Sequence, residues 1–223
     1  MSLSYKLIKN NSHLYTLIVE GDDTTALQLY KTIIKNVKNS HLDYGEKSVF
    51  FNAEHVMSLK NIILENNTKY LSYLKCIKLI HDLSEQLTNF NKLGFSLYGI
   101  DIDDILAVDN QFIFCNLKYA LPIYTDKTDK MFLFNPPHIP YFGNPEIYRI
   151  TILPSEINCK CIYYSLGCLV VFCLLNEYLL VNNEIKNNDE IEKIITPLYN
   201  TKIYWFIKRC LDKNVNNRRL LLI

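Results

Sequence analysis

The sequence predicts a mixed α+β chain, and three observations carry that prediction. Short strand-like runs flank polar turns at 5–20 and again at 105–115. Apolar residues recur at three- and four-residue spacing over 69–90, the signature of an amphipathic helix. The run from Cys161 to Leu175 is apolar on every side, as in a helix buried all round. A chain of 223 residues that is 49% hydrophobic can bury one good core or two smaller ones.

Taken in order, residues 5–20 read as two strands around Asn10-Asn11-Ser12. A turn at Gly21, capped by Asp22, Asp23 or Thr24, opens a helix over about 24–38, whose Ala26, Leu27, Tyr30, Ile33, Ile34 and Val37 share helical spacing. Residues 48–53 read as a strand and 57–65 as a short helix. The helix over 69–90 follows, with Lys75, Lys78, Asp82, Glu85 and Gln86 off its apolar face and His81 as a surface or packing residue. Gly94 stops it. Ile105–Val108 and Gln111–Cys115 form a hairpin at Asp109-Asn110, a pair that tolerates left-handed backbone. The proline-bearing segment 120–145 reads as loop. Helices are expected over 161–175, from Asp189 to Ile195, and over 204–211.

Composition excludes several functions. A net charge of +1 with no long run of one sign gives no nucleic-acid or anionic-membrane field. The seven cysteines lie mostly inside apolar runs, as free core thiols of a reducing compartment do, and Cys159 and Cys161 are too close for the usual zinc spacing. No metal site is expected from these residues. The residues after Met1 carry no apolar run of signal-peptide length. Asn176 and Glu177 cut the apolar stretch 161–181 to about 15 residues, short of the ~20 that span a bilayer. A cytoplasmic protein with no membrane and no nucleic-acid partner is expected.

The stretch Gly94 to Tyr119 concentrates the candidate chemistry: an apolar lead-in, a loop holding Asp101, Asp103 and Asp104, the hairpin, and Asn116-Leu117-Lys118 on the same side as the acids. By itself such a loop is most often a solvated turn whose carboxylates cap backbone amides. Its layout resembles the catalytic segment of eukaryotic-type protein kinases, where a His-Arg-Asp loop ending in Asn precedes a hairpin that ends in Asp-Phe-Gly. On that pattern Leu97-Tyr98-Gly99 falls on His-Arg-Asp, Asp101 on the loop lysine, Asp104 on the metal-binding Asn, and Asn116-Leu117-Lys118 on Asp-Phe-Gly. Further landmarks follow in kinase order. Asn144-Pro145-Glu146 lies on Ala-Pro-Glu, and Ser165-Leu166-Gly167-Cys168 on the central large-lobe helix. Cys210-Leu211 and the run to Arg218 lie on the closing helix and its arginine motif. The loop "GFxxYGxDxxDI" and the tail "IYWFxxRCL" are similar to those of degenerate kinase-like proteins of large nucleocytoplasmic DNA viruses.

The resemblance implies a protein-kinase-like two-lobed fold. A reduced N-terminal lobe would span 1–56, and a mainly helical C-terminal lobe 57–223. It also implies lost chemistry. Gly99 has no side chain to accept a proton, and Asn116 is neutral where a carboxylate would hold magnesium. The first turn contains no glycine, no glutamate occurs between Asp22 and Asp43, and Ile162 replaces the aspartate that braces the catalytic loop. Only Asp104 keeps a metal-capable oxygen. The motif implies a buried ion pair between Glu146 and Arg218. The expected function is therefore a catalytically inactive pseudokinase with no cofactor, binding a protein partner through Phe134–Tyr148 or the groove between lobes. The alternatives are an atypical active Ser/Thr kinase using Asp101 or Asp103 as base with Asp104 on magnesium, or a nucleotide-binding pseudokinase in which Asp104 and Asn116 hold one metal with ATP. Tyr124, Thr125, Thr128 and Tyr141 are hydroxyls open to phosphorylation.

Overall fold

Strand pairing divides the chain near residue 53. In a computed structural model, which describes residues 4–20, 30, 31, 35, 37, 40–43, 48–65, 70–124, 129–181 and 184–221, strands β1 (Ser4–Lys9), β2 (Leu14–Glu20), β3 (His41–Asp43) and β4 (Ser48–Asn52) form one antiparallel sheet in the order β1-β2-β4-β3. The β1–β2 turn is held by Asn11, whose side chain accepts from the His13 and Leu14 amides. Most of the helix expected over 24–38, with its caps Asp22 to Thr24, lies outside the described residues. Its Tyr30 and Val37 are buried.

Strand β5 (Val56–Ser58) leaves that sheet and pairs with the hairpin β7 (Ile105–Val108) and β8 (Gln111–Phe114). The short helix therefore starts later than the sequence suggests: α1 covers Leu59–Glu65, where Ser58 accepts from the Asn61 amide. Helix α2 (Tyr73–Lys92) is capped by Ser72 and followed by Gly94, whose φ of 80° favours glycine. Asp109 sits at φ 53° in the hairpin turn, and its carboxylate accepts from the Glu54 and His55 amides, tying the turn to the sheet junction.

Segment 120–145, read as loop from its prolines, instead carries β9 (Ala120–Tyr124) and β10 (Lys130–Leu133). Together with β6 (Phe95–Leu97) and β11 (Ser155–Asn158) they make a sheet in the order β11-β10-β9-β6. Met131 and Leu133 are buried while Lys130 and Phe132 are half-exposed, the period-2 pattern of a strand with one covered face. Beneath it lies a small core that includes Tyr98, Tyr119, Met131, Ile157 and Cys161.

Helix α3 (Pro145–Tyr148) follows, capped by Asn144. Helix α4 (Cys161–Leu175) is buried nearly throughout and stops at Asn176, in the left-handed region at φ 53°. A two-residue hairpin, β12 (Leu180–Val181) and β13 (Glu184–Ile185), precedes α5 (Asn188–Ile195), which opens on a capping box of Asn187 and Glu190. Helix α6 (Lys202–Cys210) packs on α4 at Gly167, where a Cβ would come within 3.0 Å of Cys210 and Leu211. One large hydrophobic core runs from Tyr15 and Leu17 of the first sheet through α2 and α4 to Cys210.

All seven cysteines are buried free thiols. Among the described residues no helix is long and apolar enough to cross a membrane. Asp82 and Gln86, placed by periodicity on the polar side of α2, are buried. They close the open edge of β8. Asp82 accepts from the Phe112 amide, and Gln86 accepts from the Phe114 amide while donating to the Phe112 carbonyl. Two side chains stand in for a neighbouring strand along this edge.

Candidate functional site

The acidic loop is fixed from both sides before any side chain is considered. Tyr98 N–H donates to the Tyr119 carbonyl at 3.0 Å, and Ile100 and Phe142 exchange backbone bonds of 3.2 and 2.8 Å. Gly99 lies between these anchors with no room for a side chain: a Cβ there would lie 2.2 Å from Cγ of Pro140. The ring of Pro140 thus fills the place that a catalytic carboxylate at 99 would need.

From this frame Asp101 turns inward. Its Oδ1 accepts from the Tyr141 amide, and its Oδ2 accepts from the Tyr119 hydroxyl at 2.7 Å and from Lys118 Nζ at 2.7 Å. Ile102–Asp104 makes a 3-10 turn that buries Asp104 to 4% exposure. Asp104 Oδ1 accepts from Asn116 Nδ2 at 3.1 Å, while its Oδ2 faces Lys118 Nζ at 3.2 Å. Asn116 Oδ1 accepts from the Lys118 amide. Asp101, Asp104 and Asn116 therefore meet, as the sequence suggests, but they meet around a lysine. Asp103 stays outside, its carboxylate on exposed Lys60 at 3.0 Å and its carbonyl accepting from Tyr5 of β1. Tyr5 thus ties the first sheet to the loop, and Tyr30, between β2 and β3, donates to the Cys115 carbonyl just after β8.

The electrostatics follow from burial. Desolvation pushes the Asp104 carboxyl up to about 6, although Lys118 opposes it. Burial works against the Lys118 ammonium, yet its bonds to Asp101 and Asp104 outweigh that, and its pKa lies above the ordinary lysine value. Burial and then the bond to Asp101 raise the Tyr119 hydroxyl. Magnesium does not fit this arrangement. It requires near-octahedral oxygen ligands at roughly 2.0–2.1 Å, whereas Asn116 presents an N–H to Asp104 and an ammonium lies between the two acids. Among the described residues no group of three or more His, Cys, Asp or Glu side chains is placed to hold a metal ion.

A second cluster braces the loop from below. Asn144 is fully buried; it caps α3 through Ile147 N and donates to the Tyr98 carbonyl and to Ser165 Oγ. Next to it Arg218 donates to both carboxylate oxygens of Glu146 at 2.9 Å and to the Asp212 carbonyl, with its guanidinium 5.0 Å from the Tyr164 ring centre. Ile162 is buried in the apolar core.

Beside the acidic loop opens a cleft of about 380 Å³ between α1 and the segment after residue 138, walled by Leu64, Ile139, Tyr141, Phe172 and Tyr178. Sequence reasoning missed Lys118 as the partner of the acids and Pro140 as the cover on Gly99. The first had a signal, a cation two residues beyond Asn116; the second is a contact across 41 positions of chain that no local pattern encodes. No protein-family model matches this chain, and no curated protein does.

Proposed function

We propose that this chain is a kinase-like scaffold, two-lobed with a reduced N-terminal lobe, that has given up phosphoryl transfer and acts by binding another protein. The observation that carries this reading is the Lys118 ammonium lodged between Asp101 and Asp104. Phosphoryl transfer needs a base placed at the hydroxyl and metal ions that neutralise phosphate charge. Here position 99 is closed by Pro140, Asp103 is paired with Lys60, and Asp101 and Asp104 already hold an internal cation. The sheet change at 53–56, the Glu146–Arg218 pair and the Asn144–Ser165 bond support the two-lobed likeness. Phe134, Ile139 and Tyr141 are half-exposed or more in the segment offered to a partner, beside the cleft. Seven free thiols fit a reducing compartment.

Thermal unfolding with ATP, with and without Mg²⁺ or Mn²⁺, tests the loss of activity, because any ligand of the folded state raises the melting temperature. No shift and no transfer of labelled γ-phosphate are expected. A metal-dependent shift abolished by Asp104→Ala would establish nucleotide binding instead, and transfer to a substrate would overturn the proposal.

A further inference from the structure

We propose that Asp101, Asp104 and the ring of Tyr119 form a cradle selective for an alkylammonium ion, occupied in cis by Lys118, in place of a divalent-metal site. This inference stands on the side chains alone and does not depend on the likeness to kinases.

Acceptor accounting leads to it. Each carboxylate has one oxygen engaged elsewhere: Asp101 Oδ1 by the Tyr141 amide and Asp104 Oδ1 by the Asn116 amide. Asp101 Oδ2, which also accepts from the Tyr119 hydroxyl, and Asp104 Oδ2 both face Nζ, at 2.7 and 3.2 Å. Asp104 Oδ2 is buried and accepts no well-aligned hydrogen bond, and the group in front of it is the Lys118 ammonium. The third wall is aromatic, with Nζ 4.9 Å from the Tyr119 ring centre. A ring face attracts a weakly hydrated organic cation. It gives nothing to Mg²⁺, which keeps its waters and asks for oxygens. The Asn116 N–H directed at Asp104 adds a donor that a metal ion would repel. The Lys118 side chain remains about a quarter exposed, so an amine in solution has a way in once the lysine is shortened.

The test uses the full chain carrying Lys118→Ala, without nucleotide. Propylammonium chloride is titrated against NaCl and MgCl₂ at matched ionic strength, and thermal unfolding is followed. Propylammonium at ten times its dissociation constant should raise the variant's melting temperature by roughly 3–6 °C beyond NaCl, and the parent's not at all. Mg²⁺ matching or exceeding propylammonium, or propylammonium acting only as salt, would overturn the proposal. Should the variant not fold, the parent still decides. A seated Lys118 should be acetylated by limiting acetic anhydride roughly tenfold more slowly than exposed Lys75, and equal rates would mean that the cradle does not hold it.

Discussion

Truncating Arg218 should destabilise this protein more than any surface change. Its side chain is completely buried and makes two bonds to Glu146 and one to the Asp212 carbonyl. Arg218→Ala strands the Glu146 carboxylate, which at 18% exposure recovers only part of its hydration, and also leaves the Asp212 carbonyl without that donor. Breaking one side of a buried pair costs about 3–5 kcal/mol, equivalent to a fall in melting temperature of roughly 6–20 °C for a chain of this size. Glu146→Gln leaves the more deeply buried guanidinium uncompensated, so its cost should be at least as large. Arg218→Met combined with Glu146→Gln should recover part of the loss, since removing both charges removes the stranded one. Urea unfolding measures this as a lowered midpoint at unchanged slope. If Arg218→Ala unfolds within about 1 kcal/mol of the parent, the reasoning about this pair is wrong.

Three further outcomes are expected. Gly99→Asp should destabilise the fold through overpacking against Pro140, by about 1–3 kcal/mol or more in urea unfolding, and should give no phosphoryl transfer; a variant as stable as the parent would contradict the closure of that position. Gln86→Leu should cost about 2–4 kcal/mol in urea unfolding, because the Phe114 amide and Phe112 carbonyl each lose a partner inside the protein; a neutral result would mean water reaches the edge of β8. The Asp104 carboxyl titrates near 6 in the fold, above the ~3.9 of an unfolded chain, so the folded state holds its proton more tightly. Its contribution to stability is then fully present below about pH 3.9 and lost as pH rises through about 6. Asp104→Asn should flatten that part of the stability profile, and an unchanged profile would refute the assignment.

Local pattern made the helices legible, since α2, α4, α5 and α6 each carry a helical period or a continuous apolar run and a recognisable end. The hairpin was legible because Asp109 and Asn110 advertise its turn. The sheet β11-β10-β9-β6 was not, because its strands are three to five residues long and Pro122 interrupts one of them. Asp82 and Gln86 misled for another reason. Polarity in a helix pattern signals solvent, and only tertiary structure shows that their partners are the backbone of β8. In the candidate site, the absence of an acid at Gly99 and Asn116 was readable as residue types, and the pairing of Glu146 with Arg218 as an expectation of the resemblance. The internal cation was not, since the meeting of Asp101, Asp104 and Lys118 depends on how the loop and the end of β8 come together.

Manganese offers the sharpest probe of the claim that the acidic loop is closed to a nucleotide-bound metal. Amide resonances of residues 100–104 and 115–119 would be followed while Mn²⁺ and ATP are added to the intact chain. The cradle around Lys118 predicts no selective paramagnetic broadening of those signals, whereas saturable broadening centred on Asp104 would contradict it.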